Sequence, residues 1–346
     1  MTTTAPIRHR AARVVRSLAA GAALLAWATA GAGADASTLR VYAAFGYDHA
    51  VAQAFTKATG IPVDLVHLST GPLQARVQAE GPRPQWDVVW FDGDTAMRDM
   101  ASRHLLACGW TPRVDYDTAG MALVPADRCY LPVGLTYAGA LLVNTRRVGT
   151  LPATWSDLGS PALRGKVGMN NPAISGPTFP FVAGILQHDG MQAGQAWFEH
   201  LKANGLKVYP TNSVTLRALQ YGQIDVAVVQ SSAALGFAQR EAHLRVLTPA
   251  PVAELPSDIA IGAHVRGAER LQARRFVEFV LSPAGQRAMQ QGDPSADSNY
   301  QPLLRGVAPL PALARLTVRD PQRLDPAIWG AREASVDQWF SSHVLH

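Results

Sequence analysis

The sequence predicts an α/β protein built of two lobes, and three observations carry that expectation. From Leu39 onward short apolar runs alternate with stretches of helical period, the pattern of strand–helix units around a largely parallel sheet. An extended apolar segment over residues 131–144 interrupts the alternation in mid-chain and reads as a crossover between lobes. The chain has 346 residues, 48% of them hydrophobic and 16% charged, which suits two cores of ordinary domain size and argues against disorder.

The first lobe opens with the apolar run Leu39-Arg40-Val41-Tyr42-Ala43 and a loop over residues 45–49. Val51, Phe55 and Ala58 then share a helical face, and Gly60 ends that helix. Residues 61–66 read as a second strand. Ser69-Thr70-Gly71 starts a helix that runs towards Glu80, with Leu73, Val77 and Ala79 as its apolar set. Asp87-Val88-Val89-Trp90-Phe91 is a short buried strand. It ends in Asp92-Gly93-Asp94, and a further helix begins at Thr95. Sheets of this kind bind ligands beyond the carboxyl ends of their strands, so the loops after the first and third strands are ligand candidates.

Beyond the crossover, a strand at 166–169 precedes helices near 177–187 and 191–204. A strand at 206–209, a short helix over 214–221 and a strand at 225–229 follow. Residues 259–265 look like a return strand, 269–281 like an amphipathic helix, and Ser282-Pro283 like the cap of another helix. The tail from Tyr300 is rich in Pro and Leu and is expected to wrap a lobe. By this reading residues 37–135 with about 255–285 form the first lobe, and 136–254 with about 286–346 the second.

Three polar loops of the second lobe end apolar runs and open helices. They are Asn170-Asn171-Pro172-Ala173-Ile174-Ser175-Gly176, Thr211-Asn212-Ser213 and Gln230-Ser231-Ser232. A helix start carries unpaired N–H groups and a partial positive charge, so each loop is a seat for an anion as well as an ordinary N-cap. Three in this order point to a site for a small anionic solute. The candidates are Asn171, Ser175, Gly176, Thr178, Asn212, Gln230, Ser231 and Ser232, with Ser69 and Thr70 as a seat on the opposite lobe. Tyr47 and Tyr137 are candidates for stacking on a ring or cation. Asp92 and Asp94 are candidates to pair with a cationic part of a zwitterionic ligand, with helix capping as the other reading of Asp94. For Trp90 core packing is the stronger reading, and for Arg76 a surface role.

The first 36 residues read as a cleaved export signal. Arg8, Arg10, Arg13 and Arg16 precede a 13-residue apolar core over 18–30, too short to span a bilayer, and Ala34-Asp35-Ala36 supplies a cleavage site. Cleavage removes four of 31 basic and one of 26 acidic residues, so the formal charge of +5 falls to +2. The remaining balance offers no clustered basic face for nucleic acid. Cys108 and Cys129 are the only cysteines. In an oxidising compartment they suit a disulfide, with two free thiols as the alternative.

Markers spread through the chain resemble the extracellular solute-binding proteins of bacterial ABC importers, family 1. The branch is the one with binders of ferric ion, thiamine and its phosphates, aminoethylphosphonate and hexose phosphates. They include Ala54-Phe55-Thr56-Lys57-Ala58-Thr59-Gly60-Ile61, Gln85-Trp86-Asp87-Val88-Val89-Trp90, Trp155-Ser156-Asp157-Leu158, Arg164-Gly165-Lys166-Val167 and Phe276-Val277-Glu278-Phe279. The resemblance implies a two-lobe periplasmic binding protein fold, with a ligand cleft between lobes joined by hinge strands. It implies a periplasmic, non-enzymatic monomer that binds a small-molecule solute and meets an inner-membrane ABC permease, without cofactor or nucleic acid. The ferric members place a His on the first loop, an acid after the third strand and two adjacent Tyr after a late strand. His49 and Asp92 match the first two, whereas Ser232 and Ala233 stand at the Tyr pair. An alkyl hydroxyl and a methyl do not replace hard phenolate donors, so the expectation is an organic phosphate, phosphonate or similar anion, with a ferric ion or ferric chelate as the alternative. Pro177 departs from the family's anion loop by lacking an N–H, and Thr178 offers a hydroxyl there. A secreted hydrolase is disfavoured because neither Gly-x-Ser-x-Gly nor His-Glu-x-x-His occurs.

Overall fold

The computed structural model describes residues 38–346, and the expected export signal over residues 1–36 lies outside them. Three strands begin the first lobe: β1 (Leu39–Ala43), β2 (Val63–His67) and β3 (Val88–Asp92). The helices α1 (Asp48–Thr59), α2 (Thr70–Glu80) and α3 (Asp94–Ser102) follow them in turn. β1 pairs in parallel with both β2 and β3. After the short α4 (Thr118–Leu123), β4 (Leu131–Ala138) joins the same sheet.

The chain changes sheets at Gly139, whose φ of 83° belongs to the left-handed region and whose absent Cβ makes room for the Phe181 ring. β5 (Ala140–Asn144) is already a strand of the second sheet. The predicted crossover over 131–144 is therefore two strands in two sheets with one glycine between them. The second lobe adds β6 (Val167–Asn170), α5 (Thr178–Asp189), α6 (Met191–Ala203), β7 (Lys207–Tyr209) and α7 (Asn212–Gln220). β8 (Val226–Val229), α8 (Ser231–Ala238) and β9 (Leu244–Leu247) complete it, in the strand order β7-β6-β8-β5-β9.

β10 (Val252–Ile261) returns to the first sheet, between β3 and β4 and antiparallel to both. It starts earlier than the expected 259–265 because Pro256 is accommodated: it needs no donor there, and its carbonyl accepts from Gly93 N at 2.9 Å. α9 (Gly267–Val280) and α10 (Pro283–Gly292) cover the first lobe, and α10 packs on α1. β11 (Gln301–Pro302) pairs with β4 and β12 (Pro321–Gln322) with β10. The segment 286–302, expected with the second lobe, thus lies with the first. The tail ends in α11 (Pro326–Phe340), capped by Asp325, whose carboxylate accepts from Ala327 and Ile328 N–H. α11 inserts Trp329, Val336 and Phe340 into the second core and lies against α3 through Gly330.

The central strands of each sheet are buried on both faces. Val41, Val88 and Trp90 point into one cluster while Tyr42, Val89 and Phe91 point into another. In the second sheet Leu141, Val143 and Val226 alternate with Ala140, Leu142 and Ala227 in the same way. Double burial explains why the strands read as continuous apolar runs. Cys108 and Cys129 are joined in a disulfide with an S–S distance of 1.95 Å. Among the described residues no helix is long and apolar enough to cross a membrane.

Candidate functional site

A cavity of about 510 Å³ lies between the lobes, at the carboxyl ends of the parallel strands of both sheets. The first lobe lines it with Gly46, His67, Ser69, Thr70, Asp92, Asp293 and Asp297. The second contributes Ser175, Gly176, Pro177, the 211–213 loop, Arg217, Gln230, Phe237 and Arg240.

The second-lobe wall is organised by Asn170, the last residue of β6, which is 1% exposed. Its Nδ2 donates to Asn212 Oδ1 at 2.6 Å and to Ser175 Oγ at 3.2 Å, while its Oδ1 accepts from Thr215 Oγ1 at 2.6 Å. These bonds consume acceptor capacity on Asn212 and Ser175. They leave the Asn212 Nδ2–H₂ and the Ser175 hydroxyl hydrogen as donors without a protein partner among the described residues. The first-turn N–H groups of α7 at Asn212 and Ser213 and of α8 at Ser232 and Ala233 have no intrahelical acceptor. Arg217 stands one turn further along α7, and the Arg240 guanidinium lies 4.6 Å over the Phe237 ring. This wall presents donors and positive charge.

The first-lobe wall carries three carboxyl side chains, Asp92, Asp293 and Asp297, beside His67, Ser69 and Thr70. Asp92 is 6% exposed. Its Oδ2 accepts from Gln230 Nε2 at 3.2 Å across the lobe boundary, and its buried Oδ1 has no partner among the described residues. Burial, reinforced by the charge of Asp297, pushes the Asp92 carboxyl well above the usual carboxylate range, and the Gln230 bond opposes the shift only in part. Enclosure pushes Asp297 up to about 6, against the pull of a 2.8 Å bond from Gly46 N–H. His67 is held by Asp48, Nδ1 to Oδ2 at 2.7 Å, and that bond raises its pKa.

The lobes touch at the edge of the cavity. Gly71 N donates to Ile174 O at 3.3 Å, and a Cβ on Gly176 would stand 2.2 Å from Thr70 Oγ1. Ser231 Oγ accepts from Tyr137 N at 3.0 Å, which ties α8 to the strand that crosses between lobes.

Of the residues singled out from sequence, Ser69, Thr70, Asp92, Ser175, Gly176, Asn212 and Gln230 come together on the cavity wall. Tyr47 lies beneath it, 2% exposed and stacked on Phe45 at 4.9 Å, with Trp90 also in that core. His49 is exposed and off the wall, its ring 6.0 Å from that of His67, which is the histidine on the wall. Asn171 Oδ1 accepts from Ala173 N and holds the loop's turn, and Thr178 is buried in the first turn of α5. Ser232 is fully buried, and its hydroxyl has no partner among the described residues. Tyr137 faces a separate groove formed with Pro309 and Leu310 of the tail. Asp94 opens the first turn of α3 and lines a separate hollow with Arg98 and Arg323, away from the cavity. Arg76 pairs with Glu80 at 3.1 Å and covers the Tyr42 ring.

The sequence reading missed Arg217, Arg240, His67, Asp293 and Asp297. A signal existed for Arg217, because Ser213, Leu216, Arg217 and Gln220 share one face of α7 at helical spacing and all line the cavity. No local signal existed for Asp297, which meets Gly46 across 251 residues of sequence. Among the described residues no group of three or more His, Cys, Asp or Glu side chains is placed to hold a metal ion.

The model of the family described as bacterial extracellular solute-binding protein matches residues 50–319. Over 248 residues, 69% of this chain and 74% of the relative, the chain is 29% identical to the major ferric iron-binding protein of Neisseria meningitidis serogroup A. It is 26% identical over 243 residues, 69% of this chain and 70% of the relative, to a putative 2-aminoethylphosphonate-binding periplasmic protein of Salmonella typhimurium. Among solved structures it is similar to the periplasmic binding protein AfuA from Actinobacillus pleuropneumoniae, determined with exogenous fructose-6-phosphate bound. The TM-score is 0.79, with 19% identity and coverage of 89% of this chain and 98% of that one, a likeness of fold alone.

Proposed function

This chain belongs to the bacterial extracellular solute-binding proteins, and we propose that it is the periplasmic component of an ABC importer. Its cargo is a small anionic, phosphate-bearing solute, which it hands to an inner-membrane permease. The observation that carries the reading is the Asn170 clamp, which fixes Asn212 and Ser175 as outward-facing donors beside the starts of α7 and α8. A phosphate or phosphonate group needs several donors converging on one point, and fixed backbone and side-chain dipoles supply them without reorganisation. Arg217 and Arg240 add formal positive charge on the same wall. Affinity comes from closing the lobes on the solute, and no bond is made or broken.

A thermal-shift screen of the purified protein tests this. The probes are inorganic phosphate, glycerol 3-phosphate, fructose 6-phosphate, thiamine pyrophosphate, ferric citrate and an uncharged sugar. A ligand at 100 times its dissociation constant stabilises by about 2.7 kcal/mol, well within detection. The expected outcome is a shift with at least one phosphate-bearing probe. A shift confined to ferric citrate, or to the uncharged sugar, would overturn the reading.

A further inference from the structure

A further hollow of about 320 Å³ lies outside the solute cavity. On one side stand α2 and α3 of the first lobe, on the other Ala173 and α11, which is anchored in the second core. Two close approaches of the lobes bound it. At one, α11 is seated on α3, where a Cβ on Gly330 would stand 2.6 Å from Thr95 O. At the other, Gly71 N donates to Ile174 O at 3.3 Å, and a Cβ on Gly71 would stand 2.1 Å from Ala173 O. This second contact divides the two spaces: Thr70 and Gly176 line the cavity, Gly71 and Ala173 the hollow. Parting the lobes there opens both spaces together.

α11 lines the hollow with two acids one helical turn apart, Glu333 and Asp337. Gln74 Nε2 on α2 donates to Glu333 Oε1 at 3.4 Å, a bond that spans the lobes. Asp337 Oδ1 is buried and has no partner among the described residues. On α3, Asp99 adds a third carboxyl, and the Arg103 guanidinium is paired with it at 3.3 Å. Arg76 of α2 and Arg332 of α11 lie instead over the Tyr42 and Trp329 rings, and the loop of the second lobe brings only Ala173. Glu333 and Asp337 are thus closed in without a cation of their own. A carboxylate in such a space is costly, and a proton removes the cost. Burial, helped by the charge of Asp337, accordingly pushes Glu333 up to about 8. With the lobes parted, water reaches the same carboxyl and the ordinary carboxylate range returns.

We infer that closing the lobes takes up a proton at Glu333, and that this hollow makes solute capture and release sensitive to pH from outside the cavity. The inference rests on the reading of the chain as a protein that closes on its solute, and adds a regulatory group that the solute does not touch. A group that holds its proton more tightly in the closed form favours closure at low pH and opposes it as pH rises. One such proton weakens closure by up to about tenfold per pH unit between the ordinary carboxylate range and about pH 8. Capture is therefore tighter in an acidic medium, and release is favoured towards neutral pH and above.

Glu333→Gln keeps an acceptor for Gln74 and does not titrate. Isothermal titration calorimetry with fructose 6-phosphate compares this variant with the wild type at about pH 4.5 and about pH 7.5. Titration of the probe and of the cavity carboxyls is common to both proteins and drops out of their ratio. The variant is expected to match the wild type within about threefold at the lower pH and to bind about tenfold tighter or more at the higher. Asp337→Asn is expected to move the ratio in the same direction, and carries the comparison if Glu333→Gln fails to fold. A ratio that is the same at both pH values, or a variant that binds more weakly at both, overturns the proton switch and leaves anion capture standing. If neither fructose 6-phosphate nor inorganic phosphate binds, anion capture falls, and small-angle scattering of the unliganded protein decides the switch. The wild type should then be more contracted at the lower pH than at the higher, and Glu333→Gln equally contracted at both. A wild-type radius that does not change with pH overturns the switch.

Discussion

The side-chain amide of Asn170 donates to Oδ1 of Asn212 at 2.6 Å, and this bond gives two loops 42 residues apart a common rigid edge. The same amide holds Ser175 Oγ, so the loops after β6 and β7 are positioned by one buried side chain. Asn170→Asp keeps the shape but replaces the donor with an acceptor, and sets a negative charge behind the proposed anion seat. The expected result is a loss of affinity for a phosphate-bearing probe of roughly 10- to 100-fold, one to two steps of about 1.4 kcal/mol. Calorimetry on the variant measures it, with circular dichroism to verify the fold. Undiminished affinity would show that the loops need no such clamp.

The alternation of strands and helices was legible because the central strands of each sheet are buried on both faces, which makes them short apolar runs between polar loops. The polar loops of the cavity wall were legible for a related reason: they stand at strand ends and helix starts, where Ser, Thr and Asn advertise themselves. What escaped was non-local. Asp297 reaches the cavity through a turn after α10, and nothing near it in sequence announces Gly46 as its partner. His49 and His67 illustrate a register problem. Both are near a strand end, but Asp48, buried at 1% exposed, takes His67 as its partner and so fixes which histidine lines the cavity. The C-terminal α11 was read only as a wrapping tail because its apolar residues face two elements, α3 and the second core, and show no single stripe.

The proposed closure of the lobes has a steric test at Gly71. A Cβ there would stand 2.1 Å from the Ala173 carbonyl oxygen, which belongs to the opposite lobe. Gly71 lies in the first turn of α2, where alanine is a better helix former, so Gly71→Ala leaves the lobe's own fold intact. The expected outcome is a protein that unfolds at or above the wild-type temperature but binds its solute more weakly. Small-angle scattering should show a radius of gyration that stays at the unliganded value when solute is added. Normal contraction with normal affinity would mean that this contact is not part of closure.

The Cys108–Cys129 disulfide spans 21 positions at the edge of the first lobe. The backbone bond from Gly109 N to Asp127 O, 2.9 Å, closes the same loop, so the bridge reinforces a turn that is already hydrogen-bonded. Cross-linking a loop of this size stabilises by about 3 kcal/mol in the chain-entropy account. The Cys108→Ser, Cys129→Ser double variant should therefore unfold at lower denaturant with an unchanged solute affinity, since neither residue lines the cavity. Equilibrium urea unfolding with and without solute measures both. A large affinity loss would tie the loop to the site.

Stability should fall as pH rises through neutrality. Burial, helped by the charge of Asp337, pushes Glu333 on α11 up to about 8, and burial pushes Asp337 to about 7. Asp94 and Asp297 stand at about 6, again from burial first. Each is raised above its unfolded value, so between the ordinary carboxylate range and about pH 8 the folded state holds more protons than the unfolded state. The unfolding free energy then declines with increasing pH across that window. Asp99 and Asp337 add negative charge around Glu333, Arg103 lines the same hollow, and Gln74 Nε2 donates to Glu333 Oε1 at 3.4 Å. Glu333→Gln keeps an acceptor for Gln74 and removes the titration. Calorimetric melting should show the wild type more stable at pH 5 than at pH 8. The variant should gain at pH 8, by about 2–4 °C for each kcal/mol recovered, and match the wild type at pH 5. A variant destabilised equally at both pH values would place the role of Glu333 in packing rather than in charge.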